Sequence, residues 1–379
     1  MRGSGKTSEL AKYAQKLSHH DCFLVITCNI DLELDMNNIE YMDILIFQLE
    51  KLIQHAARTG INLDKSIVKS FNDWFAERVN EVNKSTKREA EINFEISAST
   101  PKLWTPILKI LGGFTAGITG SAERATIIRQ VLKYKFNEFA HQFNKIIEEV
   151  NKELRSRRDA QEILFIIDGL EKTMTPELRR KIILEESNRL QQIKANTIFT
   201  LPIELMREHN RLMMFSKVYS FPYVKLVEKD GKKVKRAIER FKEFVYKRIA
   251  KELFENEEVV ERAILMGGGS PRELLRLLEY CGFYADDEGK IDEKTLTKAI
   301  QKLAADTARY ITEEELNALK KIRDNNEKGL DTPFDETVQD MMEKLILMEY
   351  NDGTYKRVHP IVAESNLYKQ YVNGSKSSA

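Results

Sequence analysis

Six consecutive residues, Gly3-Ser4-Gly5-Lys6-Thr7-Ser8, have types and a spacing suited to binding phosphate. Glycines let successive backbone N–H groups converge on an anion, and a helix that follows turns its N-terminus to the same place. A lysine at that point reaches the β- and γ-phosphates, and a threonine hydroxyl beside it ligates Mg²⁺. The full pattern is G-x-x-x-x-G-K-[ST], and Gly5-Lys6-Thr7 fill its last three positions. Its first glycine would fall one position ahead of Met1. The reading therefore expects an apolar strand and a glycine upstream, and poorer ATP binding by a chain that lacks them. The plain alternative is an ordinary helix start spelled G-K-T, so other residues must decide.

A second group of polar residues stands at the ends of apolar runs. Ile163-Leu164-Phe165-Ile166-Ile167 leads directly into Asp168, the Walker B pattern. An acid at the C-terminal edge of a buried strand sits where ligands bind open α/β sheets, within reach of Mg²⁺ directly or through water. Thr7 and Asp168 are thus the candidate metal ligands. Gly169 follows Asp168, and the next acid is Glu171. Asn196–Leu201 forms a further apolar run carrying Thr200 near its end. Far downstream, Met266-Gly267-Gly268-Gly269-Ser270-Pro271-Arg272 reads as a glycine stop, a cap and a new helix. Arg272 then lies in a first helical turn, where a cation is disfavoured by the helix dipole, which suggests an anion partner.

These residues need a frame to hold them. Leu10, Tyr13, Ala14 and Leu17 give the helix after the loop an apolar face. Cys22–Ile30, Ile163–Asp168, Asn196–Leu201 and Lys217–Val227 read as strands, and 41–57 and 132–154 as amphipathic helices. Alternation of this kind predicts an α/β fold with a parallel sheet between helical layers. Residues 60–130 read as a helical insertion. Within them Pro106–Thr119 is apolar apart from Lys109 but too short to span a bilayer, so no membrane association is expected. Residues 237–305 read as a helical unit. Helices near 313–325 and 335–347, then two alternating runs about Asn351-Asp352-Gly353, predict two helices followed by a hairpin. The expected organisation is a core over 1–230, a helical lid over 231–305 and a winged-helix domain over 306–379 with a disordered tail.

Composition narrows the classes. The chain has 379 residues with 60 Lys+Arg against 59 Asp+Glu, so no overall charge draws it to nucleic acid. With 17 glycines and 8 prolines, collagen-like and low-complexity chains are excluded. Cys22, Cys28 and Cys281 show no metal or redox spacing and fit a reducing, cytoplasmic setting.

RGSGKTSEL, ILFIIDGLEK, NTIFTLPIEL and GGGSPRELLRLL, with the terminal helices and hairpin, resemble P-loop NTPases of the AAA+ and STAND groups. The resemblance implies a three-layer P-loop core with ATP and Mg²⁺ as ligands, held by Gly3, Ser4, Gly5, Lys6, Thr7 and Ser8. It implies Asp168, Glu171, Thr200 and Arg272 as catalytic residues. Thr200 takes the sensor 1 place, with Asn196 a weaker candidate, and Arg272 the sensor 2 place in the lid. Arg207 and Arg211 stand where an arginine finger would serve a second copy, although a solvated basic face explains them equally. The D-G-L-E spelling departs from the Asp-Glu of fast AAA+ motors. It is closer to STAND switches, which implies slow hydrolysis in prokaryotic signalling or defence against mobile elements.

Partners are read from charge. Residues 306–379 carry ten basic against fourteen acidic residues, and the second helix there holds Asp335, Glu336, Asp340 and Glu343 against Lys344. Such a helix is poorly built for a major groove, although Lys356 and Arg357 on the hairpin remain available to a DNA backbone. The module is expected to contact protein, with homo-oligomerisation a further expectation. Residues 225–251 hold eleven basic and four acidic residues, either a solvated face or a nucleic-acid surface, and Arg248 within them is a candidate to face the nucleotide. The alternatives are a DNA-associated AAA+ ATPase resembling origin-recognition or transposition regulators, and a scaffold that binds no nucleotide. The KAP group, whose P-loop domains carry inserted membrane spans, ranks last because no full-length apolar span is present.

Overall fold

A computed structural model describes residues 3–18, 22–61, 63–86, 111, 122–157, 159–172, 175–212, 214–285 and 289–374. The chain forms two units. One comprises Thr7–Pro202 with Asn210–Met214, the other Met1–Lys6, Ile203–His209 and Phe215–Ala379.

In the first unit β1 (Phe23–Asn29), β2 (Glu162–Asp168) and β3 (Asn196–Phe199) make a parallel sheet in the order β1-β2-β3. The central strand is buried from Ile163 to Asp168, as an uninterrupted apolar run requires when both faces are covered. The register sets Asn29 level with Asp168 and Phe199 level with Ile167, so the polar ends of all three strands share one edge. Helix α1 (Lys6–Leu17) begins inside the glycine motif. Helix α2 (Tyr41–Arg58) follows β1, and α3 (Lys65–Thr86) follows it.

The apolar period over 132–154 continues into two helices rather than one, α4 (Ala122–Tyr134) and α5 (Phe136–Arg157). Their partners explain the break at Lys135: α4 packs on α2, whereas α5 packs on β2. Phe143 of α5 meets Phe165 edge-on at 6.4 Å. A buried Phe of this kind contributes about 1.5–3 kcal/mol. About half of the 60–130 insertion, including nearly all of Pro106–Thr119, lies outside the described residues, as does most of the expected disordered tail. Among the described residues no helix is long and apolar enough to cross a membrane.

The strand expected over 217–227 does not form. This segment belongs to the second unit and is extended, with a single bridge from Val227 to Lys233. Its apolar residues do not share a face: Tyr219 is 79% exposed, Tyr223 joins one core and Leu226 another. The spacing of the two buried residues is three, not the two that a sheet face needs.

The rest of the second unit has two cores. Helices α6 (Lys235–Tyr246), α7 (Glu257–Met266), α8 (Pro271–Tyr284) and α9 (Glu293–Ala308) pack around Val245, Val260, Leu274, Leu277 and Leu296. Ser270 caps α8 by accepting from Glu273 N at 3.3 Å, with Pro271 in its first turn. Helices α10 (Glu313–Lys328) and α11 (Glu336–Glu343) and an antiparallel hairpin, β4 (Leu347–Tyr350) and β5 (Tyr355–Val358), surround Leu319, Met341, Met342 and Met348. The second helix is shorter than its apolar pattern implies. It ends at Glu343, and Leu345, at φ 60°, turns the chain into β4.

Candidate functional site

The polar edge of the sheet carries a connected set of groups within the first unit. Thr7 Oγ1 donates to Asp168 Oδ2 at 2.6 Å, joining the start of α1 to the end of β2. Asp168 is 4% exposed. Its other oxygen, Oδ1, is buried and has no hydrogen-bond partner. A carboxylate oxygen left bare in a buried position loses its desolvation cost without return, which is the condition a cation relieves.

Beyond Asp168 the chain turns at Gly169, with φ +100°. Gly169 N donates to Thr200 Oγ1 at 3.1 Å, and Thr200 N donates to Ile167 O at 2.9 Å. The Thr200 hydroxyl in turn donates to Glu171 Oε2 at 3.0 Å. Thr200, 5% exposed, thus joins the end of β3 to the turn after β2 and holds the only acid of the D-G-L-E run besides Asp168. Asn196, the weaker sensor candidate, is level with Leu164 and donates to Glu162 at 2.8 Å, at the opposite end of the sheet. Register, not composition, removes it.

Sequence reasoning missed Asp31. Its carboxylate lies against Gly169: a Cβ at that glycine would be 2.4 Å from Asp31 Oδ1 and 2.9 Å from Cγ. Lys172 Nζ donates to its Oδ2. Among the described residues no cluster of three or more His, Cys, Asp or Glu side chains could hold a metal. The oxygen donors present, one carboxylate and one hydroxyl, instead fit a divalent cation that brings phosphate oxygens with it.

In the second unit Gly3 lies beside the start of α8. Ser270 Oγ donates to Gly3 O at 3.1 Å, and a Cβ on Gly3 would be 2.9 Å from Arg272 Cβ. Gly3 has φ +73° and Gly5 φ +93°, a backbone that only glycine adopts freely. Ser4 is buried, Lys6 half-buried, and Thr7 and Ser8 exposed. The glycines before Ser270 are fixed from the hairpin and from the extended 217–227 segment: Tyr350 Oη donates to Gly268 O at 2.7 Å, and Val224 N donates to Gly269 O at 3.3 Å. Burial pushes the Tyr350 hydroxyl well above its ordinary range, so it remains a donor.

Other candidates are engaged elsewhere. Arg207 lies 3.7 Å from Glu336, and Arg211 falls in the other unit. Arg248 stacks 3.8 Å over Phe244 and donates to its carbonyl. Lys356 is not available to a DNA backbone: it is 7% exposed and lies 3.5 Å from the buried Glu349. In the 225–251 run, Lys225, Lys232, Lys233, Arg240, Lys242 and Lys251 each face an acidic partner. Six of the eleven cations are thus paired, while the run as a whole keeps its basic excess.

No curated protein and no solved structure matches the chain. A family model does: the KAP family P-loop domain matches residues 3–200, more than half of the sequence. This span runs from Gly3 to Thr200. It overturns the low rank given to that group, which rested on a short apolar stretch in a segment outside the described residues. The chain belongs to the KAP family of P-loop NTPases.

Proposed function

We propose that the chain is an ATP-binding switch with slow hydrolysis. The observation that carries this reading is the Thr7–Asp168 hydrogen bond at 2.6 Å, together with the bare, buried Oδ1 of Asp168. Lys6 and the N–H groups of Gly3, Ser4, Gly5, Thr7 and Ser8 would hold the phosphates, at the N-terminus of a twelve-residue helix. Thr7 and Asp168 would hold Mg²⁺. When bound, the ion neutralises charge on the β- and γ-phosphates. Thr200 holds the Glu171 carboxylate beside the turn after Asp168, and the γ-phosphate role of Arg272 is the one that the resemblance implies.

Slow turnover follows from Gly169, which leaves no side chain next to Asp168 on the strand itself. Nucleotide state would be read out through α10, α11 and the hairpin, a winged-helix module whose acidity suits a protein partner. Prokaryotic signalling or defence is the setting that the AAA+ and STAND resemblance implies. The engaged lysines at 225–251 and the buried Lys356 favour this over the DNA-associated reading. Titration with a fluorescent ATP analogue tests it. Lys6→Ala and Asp168→Ala are expected to weaken Mg²⁺-dependent binding at least tenfold, and unchanged affinity in both would refute the reading.

A further inference from the structure

Three acids follow β1 closely, Asp31, Glu33 and Asp35, and their engagements differ. Glu33 pairs with Lys51 on α2. Asp35 accepts from Asn37 N at 3.0 Å and from Asn37 Nδ2 at 2.8 Å, a local turn. Asp31 alone turns back towards β2, with its side chain 14% exposed. It does so because Asn29 is level with Asp168, so the helical turn Ile30–Glu33 runs beside the turn Leu170–Lys172.

The space that Asp31 fills is the space of a missing side chain. Its Oδ1 is 2.4 Å, and its Cβ 3.0 Å, from the point where residue 169 would carry a Cβ. No side chain at 169 and the Asp31 carboxylate could occupy that volume together. Gly169, at φ +100°, has the backbone that leaves it open. The two positions are complementary: residue 169 carries no side chain, and the Asp31 carboxylate, from the helical turn after β1, lies where its Cβ would be.

We propose that Asp31 is a catalytic residue of the hydrolysis, accepting a hydrogen bond from the attacking water. This rests on the ATPase reading above and deepens it. In the step concerned, the water oxygen bonds the terminal phosphorus. The bridging P–O bond breaks, and its electron pair stays on the β-phosphate oxygen of the leaving diphosphate. One water proton leaves on the orthophosphate and the other passes to solvent. Asp31 Oδ1 orients the water while Oδ2 stays anchored by Lys172. Glu171, whose Oε2 accepts from Thr200, holds the turn from the other side.

The test uses the full chain with Mg²⁺ and ATP, reading phosphate release for kcat and a fluorescent ATP analogue for affinity. Asp31→Asn keeps size and loses the charge. It is expected to lower kcat at least 100-fold with nucleotide affinity within threefold of the parent, the retained affinity showing a folded site. Lys172→Met removes the ion pair alone and is expected to change kcat less than fivefold. Equal losses in the two variants would show an ion-pair clamp and overturn the proposal. So would an Asp31→Asn chain with parental kcat. A parent chain that binds no nucleotide overturns the ATPase reading itself, and one that binds without turnover overturns both.

Discussion

Replacing Arg129 by Met isolates a charge that the fold keeps deeply buried. Arg129 on α4 is 3% exposed and Asp43 on α2 is 1% exposed. Nε donates to Oδ1 at 2.8 Å, and Nη2 lies 2.8 Å from Oδ2, a bidentate pair. Asp43 Oδ2 also accepts from Glu40 N at 2.8 Å, closing the cap of α2. Burial raises the Asp43 carboxyl above its ordinary range, and Arg129 pulls it back down. Without the guanidinium the raising influences of burial and of the Glu40 charge remain, opposed by the hydrogen bond from Glu40 N.

The magnitude follows from protonation. A carboxyl that ionises near 3.9 when unfolded costs about 4 kcal/mol to keep protonated at pH 7, and about 1.5 kcal/mol at pH 5. The first figure bounds the electrostatic loss and agrees with the roughly 3–5 kcal/mol typical of a broken buried pair. The sign is that of a raised acid: the folded state binds the proton more tightly, so the penalty is absent at low pH and grows as pH rises. Urea unfolding followed by tryptophan fluorescence, with Trp74 in the same unit, should show Arg129→Met losing about 3–4 kcal/mol at pH 7 and much less at pH 5. The double variant Asp43→Asn with Arg129→Met keeps an acceptor for Glu40 N and should regain most of the loss at pH 7. A deficit below about 1 kcal/mol at pH 7, or one equal at both pH values, refutes the reasoning.

Four further outcomes are expected. Thr7→Val should weaken nucleotide binding about 10–100-fold in Mg²⁺ and little in EDTA, measured with the fluorescent analogue. Thr200→Val frees Glu171 and should lower kcat about 100-fold at nearly constant affinity, read by phosphate release. Tyr350→Phe strands the Gly268 carbonyl and should lower unfolding free energy by about 1–3 kcal/mol in a thermal or urea melt. His359 is fully buried, and burial lowers its imidazole to about 4, so the folded state resists protonation. Stability should therefore fall from about pH 6.5 towards pH 4, by up to about 3 kcal/mol. His359→Asn, which can still accept from Ile361 N, should flatten that slope in urea titrations across the range.

Some of this structure is written locally, and local features are what a sequence displays. Ile163–Asp168 is apolar at every position before its acid because β2 is covered on both faces, so strand, burial and chemistry coincide in six residues. The cap at Ser270, the stop at Gly267–Gly269 and the turn at Asn351–Gly353 depend only on residues within a few positions. The 217–227 segment looks like a strand by the same local standard, yet Tyr223 and Leu226 serve different cores. β-propensity records that residues suit a half-buried surface, not that a sheet edge is waiting for them.

The site itself divides along the same line. Lys6, Thr7 and Asp168 stand in motifs whose spacing carries their roles. Asp31 stands in no motif, because its relevance to Gly169 exists only once β1 and β2 are paired in register. The one signal in the sequence was negative: a glycine where a second acid is usual. A glycine in that place is ambiguous by itself, since it equally spells a chain with no second acid and a chain that receives one from elsewhere. At φ +100° position 169 strains any side chain, and a Cβ there would in addition lie 2.4 Å from a carboxylate oxygen, so the space is filled as well as strained. Gly169→Ala is therefore expected to force Asp31 back by nearly 1 Å, and misplacement on that scale costs about 100-fold in rate. If Gly169→Ala turns over ATP at the parental rate, the position is vacant rather than filled, and the complementarity between the two strands has no catalytic meaning.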